Sequence, residues 1–196
     1  GEDIIDIICR QPATAHFIAR HLYHYFVADE PPVPQWPYRD PGDAQAIEIM
    51  KKAYFDSGYE ISAMLRAMFN ADFFKSEDVR YAKVKSPCEL VTGVLRMTEE
   101  FKEPKIEISE RNNEITYMGQ QLFNPPSVEG WHEGLEWIDT GSFTERINFA
   151  SSRLGDNENP GIQSIIDRIV DGQTGSLDGG NYVDKCLDEL GCLETS

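Results

Sequence analysis

Apolar residues recur along the chain at three- and four-residue spacing, and strict alternation of apolar and polar positions rarely lasts beyond a few residues. That is the periodicity of helices with one buried face, so the pattern predicts an all-α protein with little or no sheet. A first short helix is expected at about residues 2–9, around Ile4, Ile5, Ile7 and Ile8. Pro12 then sits in the first turn of a second helix running to about Val27, with Phe17, Ile18, Leu22, Tyr25 and Phe26 as its apolar stripe. The run Asp29-Glu30-Pro31-Pro32-Val33-Pro34-Gln35-Trp36-Pro37 ends it, because each proline lacks an N–H donor and restricts the residue before it. Trp36 and Tyr38 mark this stretch as an ordered loop whose rings must pack somewhere.

A third helix, from about Asp43 to Asp56, turns Ile47, Met50, Ala53 and Tyr54 inward, and Gly58 is placed to cap it in the left-handed conformation. A fourth, about Ile61–Asn70, carries Ile61, Leu65, Met68 and Phe69, and Phe73 and Phe74 extend the core after a turn. In Ser86-Pro87-Cys88-Glu89 the serine can cap, the proline fits the first helical position, and the glutamate can reach back. A helix to about Phe101 should follow, and another at about Glu110–Leu122 before Pro125-Pro126. Ser142-Phe143-Thr144-Glu145 repeats the capping pattern and opens a helix through about Arg153, with two more near 161–171 and 180–190. The expectation is a compact multi-helix fold of about eight or nine helices joined by long Pro- and Gly-rich loops. It reads as a single domain over 1–196, with 152–196 as a C-terminal helical extension.

Charge narrows the function. The 196 residues hold 18 Lys or Arg and 34 Asp or Glu, a net charge of −16. Binding to nucleic-acid backbones needs clustered cations, and no more than two Lys or Arg are adjacent here. No nucleic-acid partner is therefore expected, and an anionic membrane surface is disfavoured for the same reason. No apolar run approaches the roughly 20 residues needed to cross a bilayer, so membrane insertion is not expected either. The opening at Gly1, already inside a helical pattern, and the ending at Ser196 suggest a piece of a longer polypeptide.

Candidate chemistry is sparse. His16, His21 and His24 share one helix, but only His21 and His24, three apart, share a face closely, and no His-Glu-x-x-His arrangement occurs. No metal site or cofactor is expected from them. The loops Asp156-Asn157-Glu158-Asn159 and Asp171-Gly172 to Asp178-Gly179-Gly180-Asn181 offer oxygen ligands suited to Ca²⁺ without matching EF-hand spacing; ordinary Asx and Gly turns are the plainer reading. Cys88 falls in a helix's first turn, where the dipole can lower a thiol's pKa, but Glu89 opposes that. Of the four cysteines only Cys186 and Cys192 are near enough in sequence to close a small disulfide loop. No nucleophile elbow and no phosphate-binding glycine loop is present, so no catalytic residue is assigned. The most unusual segment, Asn124 to Ile138, places Trp131 and Trp137 six apart among prolines and glycines. Together with His132 and Glu133 they could form an aromatic platform for a sugar or a partner's side chains, or simply plug the core.

Several segments taken together carry a resemblance. They are Pro12-Ala13-Thr14-Ala15-His16-Phe17-Ile18-Ala19-Arg20-His21-Leu22-Tyr23; Lys85-Ser86-Pro87-Cys88-Glu89-Leu90-Val91 with Gly93 and Leu95-Arg96; Met118-Gly119-Gln120 with Leu122-Phe123; Pro125-Pro126 with Val128, Gly130-Trp131 and Trp137-Ile138; and Arg146 with Asn148-Phe149-Ala150. In that order they resemble the C-terminal half of the bacterial domain of unknown function 1800 family, over about residues 3–153 and more weakly to the end. Cys88, Ser127 and His132 depart from the family's usual aliphatic, Asn and Pro. The resemblance implies a fragment of a larger, largely helical, exported (periplasmic or extracellular) bacterial protein. Its implied partners are its own missing N-terminal half and a protein of the domain of unknown function 1501 family. No reaction comes with it. Among the shared polar residues, Lys85, Glu89, Arg96, Gln120, Arg146 and Asn148 are expected to form a structural network, with Glu89 paired to Arg96 or Arg146, because a buried charge without a partner is costly. The leading expectation is a non-catalytic structural or protein-interaction role. The alternative is a hydrolase or carbohydrate-binding protein working through the Trp131–Trp137 loop.

Overall fold

The structure is a computed structural model that describes residues 1–131, 133–170 and 179–191. Among the described residues there are nine α-helices and no strand, which is the all-α class the periodicity predicts. They fall into two compact units, Gly1–Ser86 with Gly130–Ile138, and Pro87–Glu129 with Asp139–Ser196.

The first unit holds α1 (Glu2–Cys9), α2 (Pro12–Phe26), α3 (Ala44–Asp56) and α4 (Ile61–Asn70), with short 3-10 turns at Val33–Gln35, Asp72–Lys75, Glu77–Val79 and Gly134–Trp137. Helix α2 packs on α3, and α3 on α4. Ala15, Ala19 and Tyr23 of α2 and Val27 just after it meet Ala46, Ile47, Met50 and Tyr54 of α3 and Met64 and Met68 of α4 in one buried cluster. The buried face of α2 thus follows a four-residue spacing, with the small Ala15 and Ala19 ahead of Tyr23 and with Arg20 enclosed beside them. The larger side chains expected there lie elsewhere: Ile18 and Leu22 only flank the cluster, Phe17 is half-exposed, and Tyr25 is 72 % exposed. Size misled the expectation, because α2 carries apolar groups on more than one side. Tyr54 Oη donates to the Cys9 carbonyl at 3.1 Å and so fixes the end of α1 to α3.

The second unit holds α5 (Pro87–Met97), α6 (Arg111–Tyr117), α7 (Thr140–Leu154), α8 (Pro160–Val170) and α9 (Gly179–Gly191). Val91 and Val94 of α5, Ile115 of α6, Met118 just after it and Phe149 of α7 form its core. Helix α5 stops four residues before the expected Phe101, at buried Thr98 and a left-handed Glu99 (φ 48°). Helix α6 stops at Tyr117 because Gly119 takes φ 100°, which lets Gln120 N donate back to the Ile115 carbonyl at 3.0 Å. At the start of α8, Asn159 Oδ1 accepts the Gly161 N–H at 2.8 Å, and Gly161 sits directly against the main chain at Thr98.

Helix α7 begins earlier than Ser142. Asp139 is its cap, with Oδ1 accepting the N–H groups of Gly141 (2.7 Å) and Ser142 (2.9 Å), while Ser142 Oγ accepts the Asp139 N–H. Ser142 therefore occupies the return position of the box rather than the cap. The N–H donors of Ser142 and Gly141 hold the Asp139 carboxyl below its ordinary value. A depressed carboxyl contributes stability that is present above the unfolded-state pKa and is lost as pH falls through the folded-state pKa. Asp139→Ala should lower the melting temperature by roughly a few degrees at neutral pH. The gap from wild type should close once the pH drops well below about 3.9. Melts followed by circular dichroism across that range check it; a gap that persists in acid would assign the effect to something other than the carboxylate.

Candidate functional site

The tryptophan loop belongs to the first unit and is held on the end of α2. His24, in the last turn of that helix, accepts the Glu30 N–H on Nδ1 at 2.9 Å, which leaves its proton on Nε2, directed at Glu133 Oε2 2.7 Å away. Asp29 takes the Val84 N–H at 2.7 Å and pairs with Lys83, whose ammonium also reaches the His24 carbonyl. Gly134 lies against Asp29 with φ +58°; a Cβ there would meet the Asp29 side chain at 3.2 Å, so both the approach and the backbone favour glycine. His24 is thereby an organising group rather than a base, since its acceptor nitrogen is already used. His21 packs edge-on to Phe17 (centroids 4.4 Å) and against Trp36 (4.6 Å). Burial, then the neighbouring His24, hold His21 below the ordinary histidine value, with Glu133 opposing. Among the described residues no group of three His, Cys, Asp or Glu could hold a metal ion.

The candidate platform residues are separated by exposure. Trp137 is 5 % exposed, Trp131 is half-buried, and Glu133 is exposed apart from its bond to His24. His132 lies outside the described residues, as do residues 171–178 of the second acidic loop and Cys192, and with it the loop that a disulfide to Cys186 would close. In the first acidic loop Asp156 Oδ1 accepts the Glu158 N–H and Asn159 caps α8, so these side chains serve a turn and a helix start.

Of the expected polar network, Gln120 Oε1 accepts the Cys88 N–H at 2.8 Å in the first turn of α5. Arg146 is buried on α7, and burial lowers its pKa. Lys85, Glu89, Arg96 and Asn148 are exposed. The second unit also gathers Arg111 and Arg153 around Glu100 and Glu114: Arg111 Nη1 reaches Glu114 at 2.7 Å, and Arg153 bonds both carboxylates at 3.2 Å.

The main polar feature of the first unit was not singled out from the sequence. Arg20 and Glu30 form an ion pair with both side chains fully enclosed, Nε to Oε2 at 2.5 Å. The remaining guanidinium donors reach the carbonyls of Arg39 (2.8 Å), Asp40 (3.1 Å) and Trp36 (3.4 Å), and Glu30 Oε1 accepts the Gly42 N–H at 2.7 Å. The Trp36 ring lies 4.8 Å from the guanidinium and donates its N–H to the Pro31 carbonyl. One pair thus clamps the whole proline-rich loop from 29 to 42. The available signal was a cation on the buried side of α2, between Ala19 and Tyr23, followed ten residues later by an acid.

A family model described as "Protein of unknown function (DUF1800)" matches residues 1–190, and the chain belongs to that family. Nothing among the curated proteins or the solved structures matches it.

Proposed function

We propose that this chain is a protein-interaction part of a larger, exported bacterial protein and carries out no reaction itself. The observation that supports this is α1. Ile4, Ile5, Ile7 and Ile8 are 63, 60, 59 and 51 % exposed, four large aliphatic side chains on eight residues, while Cys9 at its end is tied to α3. Contiguous apolar surface held out on an anchored helix is the usual mark of a protein–protein contact. Occupants consistent with the family are the remainder of the same protein and a protein of the domain of unknown function 1501 family. The rival sugar-binding reading has less support, since Trp137 is buried and Trp131 is half-buried.

The test couples the chain and an Ile4→Glu/Ile8→Glu variant to beads. Proteins retained from extracts of the native host are quantified, and binding is then repeated with each purified candidate. A purified partner held by wild type and weakened at least tenfold by the variant is the expected result. Equal retention by both, or an oligosaccharide bound by wild type and lost in Trp131→Ala, would overturn the proposal.

A further inference from the structure

A second surface of the first unit carries a different chemistry. Tyr25 and Phe26 at the end of α2, Phe69 at the end of α4 and Phe74 in the following turn form a row of edge-to-face rings. Their successive centroid separations are 4.8, 5.4 and 5.0 Å, and the planes are turned by 76, 75 and 85°. That is the favoured geometry for aromatic pairs, so the row is a formed surface rather than a loose scatter of side chains. It is also open: Tyr25 is 72 % exposed and Phe26 and Phe69 are each 40 % exposed. Phe26 and Phe74 of this row also line a pocket of about 310 Å³ together with Val27, Val79, Lys75, Glu77 and Arg80.

Two properties decide what fits. The volume is at the small end of the roughly 300–1,000 Å³ range of ligand pockets, room for one large apolar group. Two further rings of the row, Tyr25 and Phe69, continue the apolar surface outside it, which suits a segment with successive side chains better than a single small molecule. The charge is equally specific. Arg80 pairs with Glu77 at 3.3 Å, and Lys75 adds a further cation, so the pocket lining carries one net positive charge on a chain whose net charge is −16. A group lodged in the pocket has cations beside it, and a carboxylate next to the apolar group complements them.

We propose that this row and its pocket form a docking groove for a polypeptide segment that carries a large apolar side chain next to one or more carboxylates. The groove uses none of the α1 residues, so it stands or falls separately from the interaction role assigned to that helix.

Selection of a random phage-displayed peptide library on the folded 196-residue chain tests it. Non-specific attraction to a chain of −16 favours cationic peptides, so enrichment of Phe, Trp or Leu beside Asp or Glu is diagnostic. Synthetic versions should bind at least tenfold more weakly to Lys75→Glu/Arg80→Glu, and several-fold more weakly to Tyr25→Ala. Both variants should keep the wild-type helical spectrum, because all three side chains are exposed. Ile4→Glu/Ile8→Glu should bind these peptides as wild type does. No enrichment, enrichment of cationic sequences, or acidic peptides that bind the charge-reversed chain unchanged would each overturn the proposal. So would Lys75-dependent binding of decanoate with no peptide binding, which would make the pocket a site for small amphiphiles.

Discussion

Gly161→Ala should destabilise the protein by about 3 kcal/mol, a large part of the stability of an ordinary domain. The cause is space rather than helix propensity. An added Cβ would lie 1.9 Å from the Thr98 carbonyl oxygen, 2.3 Å from its carbon and 3.0 Å from the Glu99 nitrogen. All three are main-chain atoms. Thr98 is buried and Glu99 already has φ 48°, so neither can turn aside as a flexible side chain would. Helix α8 must move away from the segment after α5, and Ile162, buried beside Gly161, moves with it. Gly93 supplies the contrast in the same assay. It lies inside α5 with nothing within 4 Å of its added Cβ. Gly93→Ala should therefore stabilise by about 0.5–1 kcal/mol through reduced backbone entropy of the unfolded chain. Urea unfolding followed by far-ultraviolet circular dichroism measures both. If the two substitutions give the same sign, the close approach of α8 to Thr98 is wrong.

Breaking the Arg20–Glu30 pair should have the other large effect. Arg20→Met leaves the Glu30 carboxylate enclosed without its counter-charge and removes donors from the carbonyls of Trp36, Arg39 and Asp40. Removing one partner of a buried pair typically costs about 3–5 kcal/mol, and this one closes a loop as well. Adding Glu30→Leu should recover part of the loss, because the uncompensated charge goes. A double-mutant cycle should then give a coupling well above the few tenths of a kcal/mol expected for independent sites. Arg20→Lys should not substitute, since an ammonium cannot serve the carboxylate and the spread carbonyls with the geometry of the planar fork. Trp36, Trp131 and Trp137 all lie in the first unit, so the midpoint of the tryptophan emission change reports this loss directly. A single Arg20→Met change within 1 kcal/mol of wild type would mean that water takes over the pair's role.

What could be read in advance follows from which interactions are local. The limits of α1 and α4 come from periodicity and the chemistry of their ends, and the expected spans agree with Glu2–Cys9 and Ile61–Asn70. Interrupted stretches were harder. The lengths of α5 and α6 are set by a left-handed Glu99 and by Gly119, and only the glycine is visible as a breaker. Ser142 was legible as a capping residue, yet the cap itself is Asp139, three residues earlier, because that choice depends on where the preceding turn ends. The buried side of α2 was not legible from hydrophobicity: Ala15 and Ala19 are buried because α3 comes close, which is a tertiary fact. The same applies to the site. The sequence drew attention to Trp131, Glu133 and Trp137, but nothing local says that Glu133 meets His24 across 109 positions, or that Trp137 is enclosed.

The clamp on the proline-rich loop also makes a statement about sequence drift. Arg39 and Asp40 are held by their carbonyl oxygens, and their side chains are exposed. Every amino acid offers that carbonyl, so these positions are free to vary without loosening the loop. Arg20 and Glu30 contribute through side-chain atoms and have no such freedom, and Trp36 is tied both by its ring and by its indole N–H. Across related chains the loop should therefore change quickly at its middle while its two ionic ends persist or disappear together, and a relative that lacks Arg20 should carry an uncharged residue in place of Glu30.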